Sequence, residues 1–144
     1  MNQKELEKLR LHFKGRVEGL GFNRLVGLSL NDLQEGSCET ELEVGPQHLN
    51  SNGWLHGGVM SMMSDVTAGF AAAAMGNRTT TVNMTTQYMR RGPSSGKIIC
   101  KARVEKAGRT MIWTKSFIYN EKEELLCEST QIYSRLNKID LDQI

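Results

Sequence analysis

Residues 54–75 have the sequence WLHGGVMSMMSDVTAGFAAAAM, and this stretch decides the fold. Apolar and polar residues do not alternate in it, and alanine and methionine dominate, which favours a helix over a strand. The predicted helix is apolar on nearly all sides, so most of its surface has to be buried. The sequence therefore predicts a domain that is built around one long central helix.

The segments on both sides of this helix have the patterns of β-strands. Over residues 38–44, glutamates alternate with uncharged residues, which is the period of a strand with one buried face and one wet face. Another strand is expected between Leu25 and the turn at Gly36. Downstream, runs of β-branched and apolar residues are separated by turn residues and predict four more strands, at 79–90, 97–106, 110–119 and 125–133.

An amphipathic helix is predicted over residues 4–13, before glycines interrupt its pattern. The order of elements is then helix, strand, strand, helix and four strands, which is an α+β arrangement. A sheet of about six antiparallel strands that wraps around the long helix is the simplest way to bury it. We expect a helical N-terminal extension at 1–24, the main domain at 25–137 and a C-terminal tail at 138–144.

Composition narrows the class of protein. The chain of 144 residues is long enough for one domain with one core, and its net charge of +2 gives no general argument for nucleic-acid binding. Three widely spaced cysteines do not suggest a disulfide framework and fit a reducing compartment. The N-terminus lacks the apolar core of a signal peptide, and no uninterrupted stretch reaches the ~20 apolar residues that cross a bilayer. We therefore expect a cytoplasmic protein without nucleic-acid or membrane partners.

The glycines that follow His56 have two interpretations. They could simply permit a tight turn from a loop into the helix. Alternatively, the N–H groups of Gly57 and Gly58 lack partners in the first helical turn, and the helix dipole adds positive charge there, so they could bind a carbonyl and stabilise its oxyanion. His56 is expected to fix the loop by hydrogen bonding beside this site. The spacing of His48 and His56 matches no zinc pattern, so no metal is predicted.

Asp65 is a lone carboxylate within the apolar helix. It could be structural, with its oxygens bonded to neighbouring hydroxyl groups, or it could act as a general base or nucleophile. It lies eight residues after Gly57, which is about 12 Å along a helix. A base and an oxyanion donor must both lie within about 3 Å of one reacting centre. If both residues act, Asp65 must therefore come from a second copy of the helix, and the smallest active unit is a homodimer.

Other polar residues extend the candidate site. Asn50 in the preceding loop could form a turn or orient a water molecule or a carbonyl. Basic residues are concentrated between positions 90 and 109, where they could form a solvated sheet face or bind the phosphates of coenzyme A. The candidates for phosphate binding are Arg90, Arg91, Lys106 and Arg109.

The sequence resembles a known family in three stretches. LNSNGWLHGGVMSMMSDVTAGFA at 49–71, TTTVNMTTQYMRRG at 79–92 and VEKAGRTMIWTKSFIYNEKEELLCEST at 104–130 look like the hot-dog-fold acyl-CoA thioesterases of the PaaI-like, phenylacetate-pathway type in the 4HBT superfamily. In that family a long helix is wrapped by an antiparallel sheet. The likeness covers roughly residues 25–135.

This resemblance implies roles for particular residues. The amide of Gly57 would bind the thioester carbonyl, and Asp65 of the opposite subunit would be the base or nucleophile. Asn50 would hold the water or the carbonyl, and the hydroxyl group of Thr81 would support the carboxylate. The resemblance further implies that no metal or organic cofactor is used, that the substrate is an acyl-CoA, and that dimers pair into a homotetramer.

Two other functions on the same fold remain open at this point. A non-catalytic acyl-CoA sensor would need an output element such as a DNA-binding helix pair, and the first 24 residues look too short and too rich in glycine for one. A hydratase or dehydratase would pair a histidine with an acidic residue in a different loop motif, so a catalytic His56 would favour it.

Overall fold

The computed structural model describes all 144 residues. Its helices are α1 (Gln3–Gly19), α2 (Gly21–Val26) and α3 (Gly57–Ala73), with short 3-10 turns at Pro46–His48 and Leu141–Gln143. Its strands are β1 (Ser29–Gln34), β2 (Ser37–Val44), β3 (Asn77–Tyr88), β4 (Gly96–Ala107), β5 (Met111–Tyr119) and β6 (Leu125–Lys138). The predicted central helix and the strands of the sheet are therefore present in the predicted order.

The six strands form one antiparallel sheet in the order β1-β2-β4-β5-β6-β3. Helix α3 lies against one face of this sheet and contacts β2, β3, β4 and β5. Met63, Ala68 and Ala71 on α3 have no solvent exposure, because the sheet curves around the helix. This is the predicted hot-dog arrangement, in which the apolar surface of α3 is buried.

Strand β2 shows why the alternating pattern identifies a strand. Cys38, Thr40 and Leu42 point into the core and are almost fully buried. The glutamates between them point to the opposite face of the sheet, where Glu41 forms an ion pair of 3.2 Å with Lys97 on β4. The buried and wet faces that the sequence predicted are thus confirmed.

The N-terminal region differs from the sequence prediction. Helix α1 does not end near residue 13 but continues through Gly15 to Gly19, because Phe13 and Val17 pack into the core and outweigh the low helix propensity of glycine. Leu25 does not begin a strand but lies in α2. The first strand starts at Ser29, after Gly27 has ended α2 in a left-handed conformation with φ of 92°.

Strand β3 forms one edge of the sheet and pairs only with β6. Its other edge has no partner within the chain, and Val82 on this strand is 52% exposed. Long edge strands that expose apolar residues are templates for pairing with another chain. The position of β3 therefore matters for any site that needs a second subunit.

The structure also bears on membrane spanning and on the state of the cysteines. None of its helices has both the length and the apolar character needed to cross a bilayer. Cys38, Cys100 and Cys127 are buried and form no disulfide. Burial raises the pKa of the Cys100 thiol to about 12 and that of Cys127 to about 11, so these thiols are uncharged.

Candidate active site

The N-terminus of α3 leaves one backbone amide free. His56 is the N-cap residue, and its Nδ1 accepts a hydrogen bond of 2.8 Å from the amide of Gly58. The carbonyl of His56 accepts from the amide of Val59 at 3.0 Å. The amide of Gly57 has no partner in the chain, so it is the group of the first turn that remains available to a ligand.

The loop before α3 is held by hydrogen bonds of its own. Oδ1 of Asn50 accepts from the backbone amides of Asn52 at 2.9 Å and Trp54 at 3.2 Å, which is an Asx-type turn. The amide of His56 donates to the carbonyl of His48 at 2.8 Å. The turn-forming interpretation of Asn50 is therefore confirmed, and its Nδ2 group has no partner in the chain.

An open cavity of about 570 Å³ lies in front of this loop, and we call it the loop cavity. Asn50, Gly57 and Tyr88 line it together with Arg90 and Arg91. The Arg91 guanidinium stacks on the ring of Trp54, 3.6 Å from its centroid, and Arg90 forms an ion pair of 3.1 Å with Glu124. Two of the predicted phosphate-binding residues thus lie beside the free amide.

Lys106 and Arg109 lie elsewhere in the chain. Strand β4 begins at Gly96, and Lys106 lies next to its last residue. The Nζ atom of Lys106 lies 5.4 Å from the centroid of the Trp113 ring. Arg109 is in the turn between β4 and β5 and is exposed. The structure does not bring these two residues together with Arg90 and Arg91 within one chain.

Asp65 lies in the middle of α3 and accepts two hydrogen bonds on the same oxygen. The Thr81 hydroxyl on β3 donates to Oδ1 at 2.8 Å, a contact of the kind that the family resemblance implies for this residue. The Tyr133 hydroxyl on β6 also donates to Oδ1, at 2.9 Å, and lies 2.8 Å from the backbone carbonyl of Asp65. Burial and the adjacent Asp65 carboxylate raise the pKa of Tyr133, so this phenol stays protonated and remains a donor.

A second cavity, of about 510 Å³, begins at Asp65, and we call it the helix cavity. One wall is formed by α3 and β3, and the other by α1, α2 and the end of β6. The residues of α3 that line it are Asp65, Val66, Gly69, Phe70 and Ala73. Gly57 lines the loop cavity and Asp65 lines the helix cavity, so one chain does not bring the two residues to a common point.

The structure contains no group of three or more His, Cys, Asp or Glu side chains that could share a metal ion. Both ring nitrogens of His48 form hydrogen bonds within the chain. Nδ1 accepts from the amide of Gly45 at 2.9 Å, and Nε2 lies 2.6 Å from the carbonyl of Val26. His48 is therefore a buried structural histidine.

Comparison with known proteins identifies the family. The family model described as the thioesterase superfamily matches residues 52–127, which is more than half of the chain. The chain belongs to the thioesterase superfamily. The human protein acyl-coenzyme A thioesterase 13 is 27% identical to it over 118 residues, which are 80% of this chain and 84% of that protein.

Solved structures agree with this assignment. The conserved protein PA5202 from Pseudomonas aeruginosa has a TM-score of 0.79 and 26% identity, and the match covers 84% of this chain and 98% of that chain. The E. coli PaaI protein from the phenylacetic acid degradation operon has a TM-score of 0.86 at 18% identity, covering 92% and 96%. The latter likeness shows the shared fold. The predicted membership in the PaaI-like hot-dog thioesterases is confirmed, and the protein is a thioester hydrolase.

Two tyrosines that the sequence prediction missed contact the candidate site residues Gly57 and Asp65. Tyr133 follows the buried residues Ser129 and Gln131 at intervals of two along β6. The alternation of a strand could therefore have placed it on the inner face of the sheet. Tyr88 donates to the carbonyl of Gly57 at 3.2 Å and contacts the hydroxyl of Ser61. Nothing in the sequence spacing indicates these partners, because strand and helix come together only through the sheet.

Proposed function

We propose that this thioesterase hydrolyses acyl-CoA conjugates at a site formed by two subunits. In this proposal, Gly57 of one subunit binds the thioester carbonyl and Asp65 of the partner acts on the carbonyl carbon. The observation that carries the proposal is the separation of Gly57 from Asp65 within one chain. The free amide and the hydrogen-bonded carboxylate lie about two turns of helix apart, or ~12 Å, and face different cavities.

The free edge of β3 supplies a physical route to the dimer. Tyr88 at one end of β3 contacts Gly57, and Thr81 near the middle contacts Asp65. If β3 pairs antiparallel with its own copy around Met84, Thr81 lies opposite the partner's Gln87. The loop cavity of one subunit would then adjoin the helix cavity of the other. The pairing would also remove Val82 from water and satisfy the exposed strand edge.

The proposed reaction uses these groups in defined roles. The amide of Gly57 donates to the thioester oxygen, and its hydrogen bond strengthens as negative charge develops there. Asp65 either takes a proton from a water molecule that attacks the carbonyl carbon, or attacks that carbon itself to give an anhydride that water then cleaves. In both routes the carbon–sulfur bond breaks, and the products are a carboxylic acid and the thiol of CoA. Thr81 and Tyr133 orient the carboxylate by donating to one of its oxygens, which leaves the other oxygen to react.

Recognition of CoA is assigned to the loop cavity. Arg90 and Arg91 lie beside Gly57 there, and guanidinium groups suit phosphate oxygens. The name of the human relative, an acyl-coenzyme A thioesterase, supports this class of substrate. Lys106 and Arg109 could contact CoA only in the site of another subunit, as in the homotetramer that we expect. A cytoplasmic location is consistent with the free cysteines.

Subunit complementation tests the shared site. We would mix an Asp65→Asn subunit with a Gly57→Val subunit, each inactive alone. A Cβ at position 57 would approach Tyr88 only to 3.5 Å, an ordinary contact, so the fold should tolerate valine. Random exchange should restore about a quarter of wild-type activity, because half of the dimers are mixed and each has one intact site. Differently tagged subunits confirm the exchange, and an inactive mixture with proven exchange would contradict the shared site.

A further inference from the structure

The helix cavity has a wall that lies outside the stretch matched by the family model. That wall consists of His12, Phe13, Arg16, Leu20 and Asn23 from α1, α2 and their junction. Phe13 packs against Phe70 on α3, with ring centroids 4.8 Å apart and an interplanar angle of 58°. From Asp65 to Ala73 the cavity follows about 12 Å of α3. It is therefore a pocket of ligand size, and it leads away from the carboxylate that acts on the thioester.

Half of the residues that line this pocket are hydrophobic, and the polar residues include three basic side chains. Arg16 on α1 and Arg78 on β3 line the cavity together with His12. Asp65 is the only acidic residue in the lining, and it forms no ion pair with either arginine. The ion pairs made by arginines in this chain involve Arg10, Arg90 and Arg103. Two guanidinium groups that have no carboxylate partner thus border a pocket of mixed polarity.

The imidazole of His12 links these charges. Nε2 of His12 accepts a hydrogen bond of 2.9 Å from Nε of Arg16. Burial, and then the positive charges of Arg16 and Arg78, lower the pKa of His12. The neutral ring carries its proton on Nδ1, which has no partner in the chain. The two terminal nitrogens of Arg16 are also without partners.

We infer that the helix cavity binds the acyl group and that the preferred substrates are acyl-CoAs whose acyl chain ends in a carboxylate. This inference rests on the proposed function, which places the thioester at Asp65. An acyl chain that enters the pocket from there lies against Val66 and Phe70, and its far end reaches Arg16 and Arg78. A terminal carboxylate can accept charge-assisted hydrogen bonds from these guanidinium groups. A methyl terminus cannot form these hydrogen bonds.

Matched pairs of substrates test the inference. Adipoyl-CoA and hexanoyl-CoA have the same chain length and differ only in the terminal carboxylate, as do suberoyl-CoA and octanoyl-CoA. We expect the wild-type enzyme to have a kcat/KM at least about tenfold higher for the carboxylate member of a pair, the value of one charge-assisted hydrogen bond. In the Arg16→Gln/Arg78→Gln variant this ratio should fall to about one.

Arg24→Gln is the matched control, because Arg24 on α2 is exposed and does not line the cavity. This variant should leave the ratio of kcat/KM within each substrate pair unchanged. Pantetheine thioesters of the same acids lack the nucleotide phosphates. If the double variant lowers kcat/KM equally for both members of a CoA pair and leaves the pantetheine thioesters unaffected, the arginines bind phosphate and the inference is wrong. Hydrolysis of both members of a pair at equal rates would overturn the inference and leave the proposed function intact. Hydrolysis of no acyl-CoA at all would overturn the proposed function itself.

Discussion

Replacing Asp65 with asparagine separates a catalytic carboxylate from a structural one. Both hydrogen bonds to the side chain, from Thr81 and Tyr133, end on Oδ1. The amide oxygen of asparagine can accept both of them, and its NH2 group takes the place of Oδ2, which has no partner in the chain. Asp65 is half-buried and forms no ion pair, so the substitution removes no favourable charge contact. We therefore expect the free energy of unfolding to change by no more than about 1 kcal/mol, because the two hydrogen bonds are kept but lose their charged acceptor.

The expected effect on catalysis is much larger. Asparagine can neither take a proton from water nor attack a carbonyl carbon, so kcat should fall by about 10²-fold or more. Steady-state hydrolysis of an acyl-CoA and thermal unfolding would be measured on the same purified variant. Asp142→Asn is the matched control, because Asp142 is exposed and its carboxylate has no hydrogen-bond partner. A variant that unfolds as the wild type does and retains near-normal kcat would refute the catalytic role. Loss of stability with little loss of kcat would show that the carboxylate is structural.

Two further variants test the groups around the reacting atoms. In Tyr133→Phe the carboxylate loses one of the two donors that orient it, so kcat should fall while KM for an acyl-CoA changes little. An unchanged kcat at lower stability would make Tyr133 a packing residue only. In Arg90→Ala/Arg91→Ala, KM for an acyl-CoA should rise, added salt should reproduce part of the effect in the wild type, and a pantetheine thioester should show little change. An equal loss with both thioesters would contradict phosphate binding.

Some elements of this fold follow from local sequence alone. The alternation over β2 and its absence from the largely apolar α3 identified both elements, because a buried strand face and a helix buried on most sides impose different periods. The extent of α1 did not follow in the same way. Gly15 lowers the local helix propensity, and only the packing of Phe13 and Val17 into the core carries the helix on to Gly19.

The features of the candidate site can also be sorted into those that the sequence predicts and those that need the tertiary structure. Sequence alone predicted free amides at Gly57 and Gly58 and the distance from Gly57 to Asp65, because these depend on the geometry of a single helix. The structure corrects the expectation for Gly58, whose amide donates to the His56 side chain. The sequence also provided Thr81, through the resemblance to the family. Only the tertiary structure decided that Tyr133 holds the carboxylate and that Arg16 and Arg78 border one pocket. These contacts join residues from distant parts of the chain, and the register of the sheet and the docking of α1 bring them together, which no local pattern encodes.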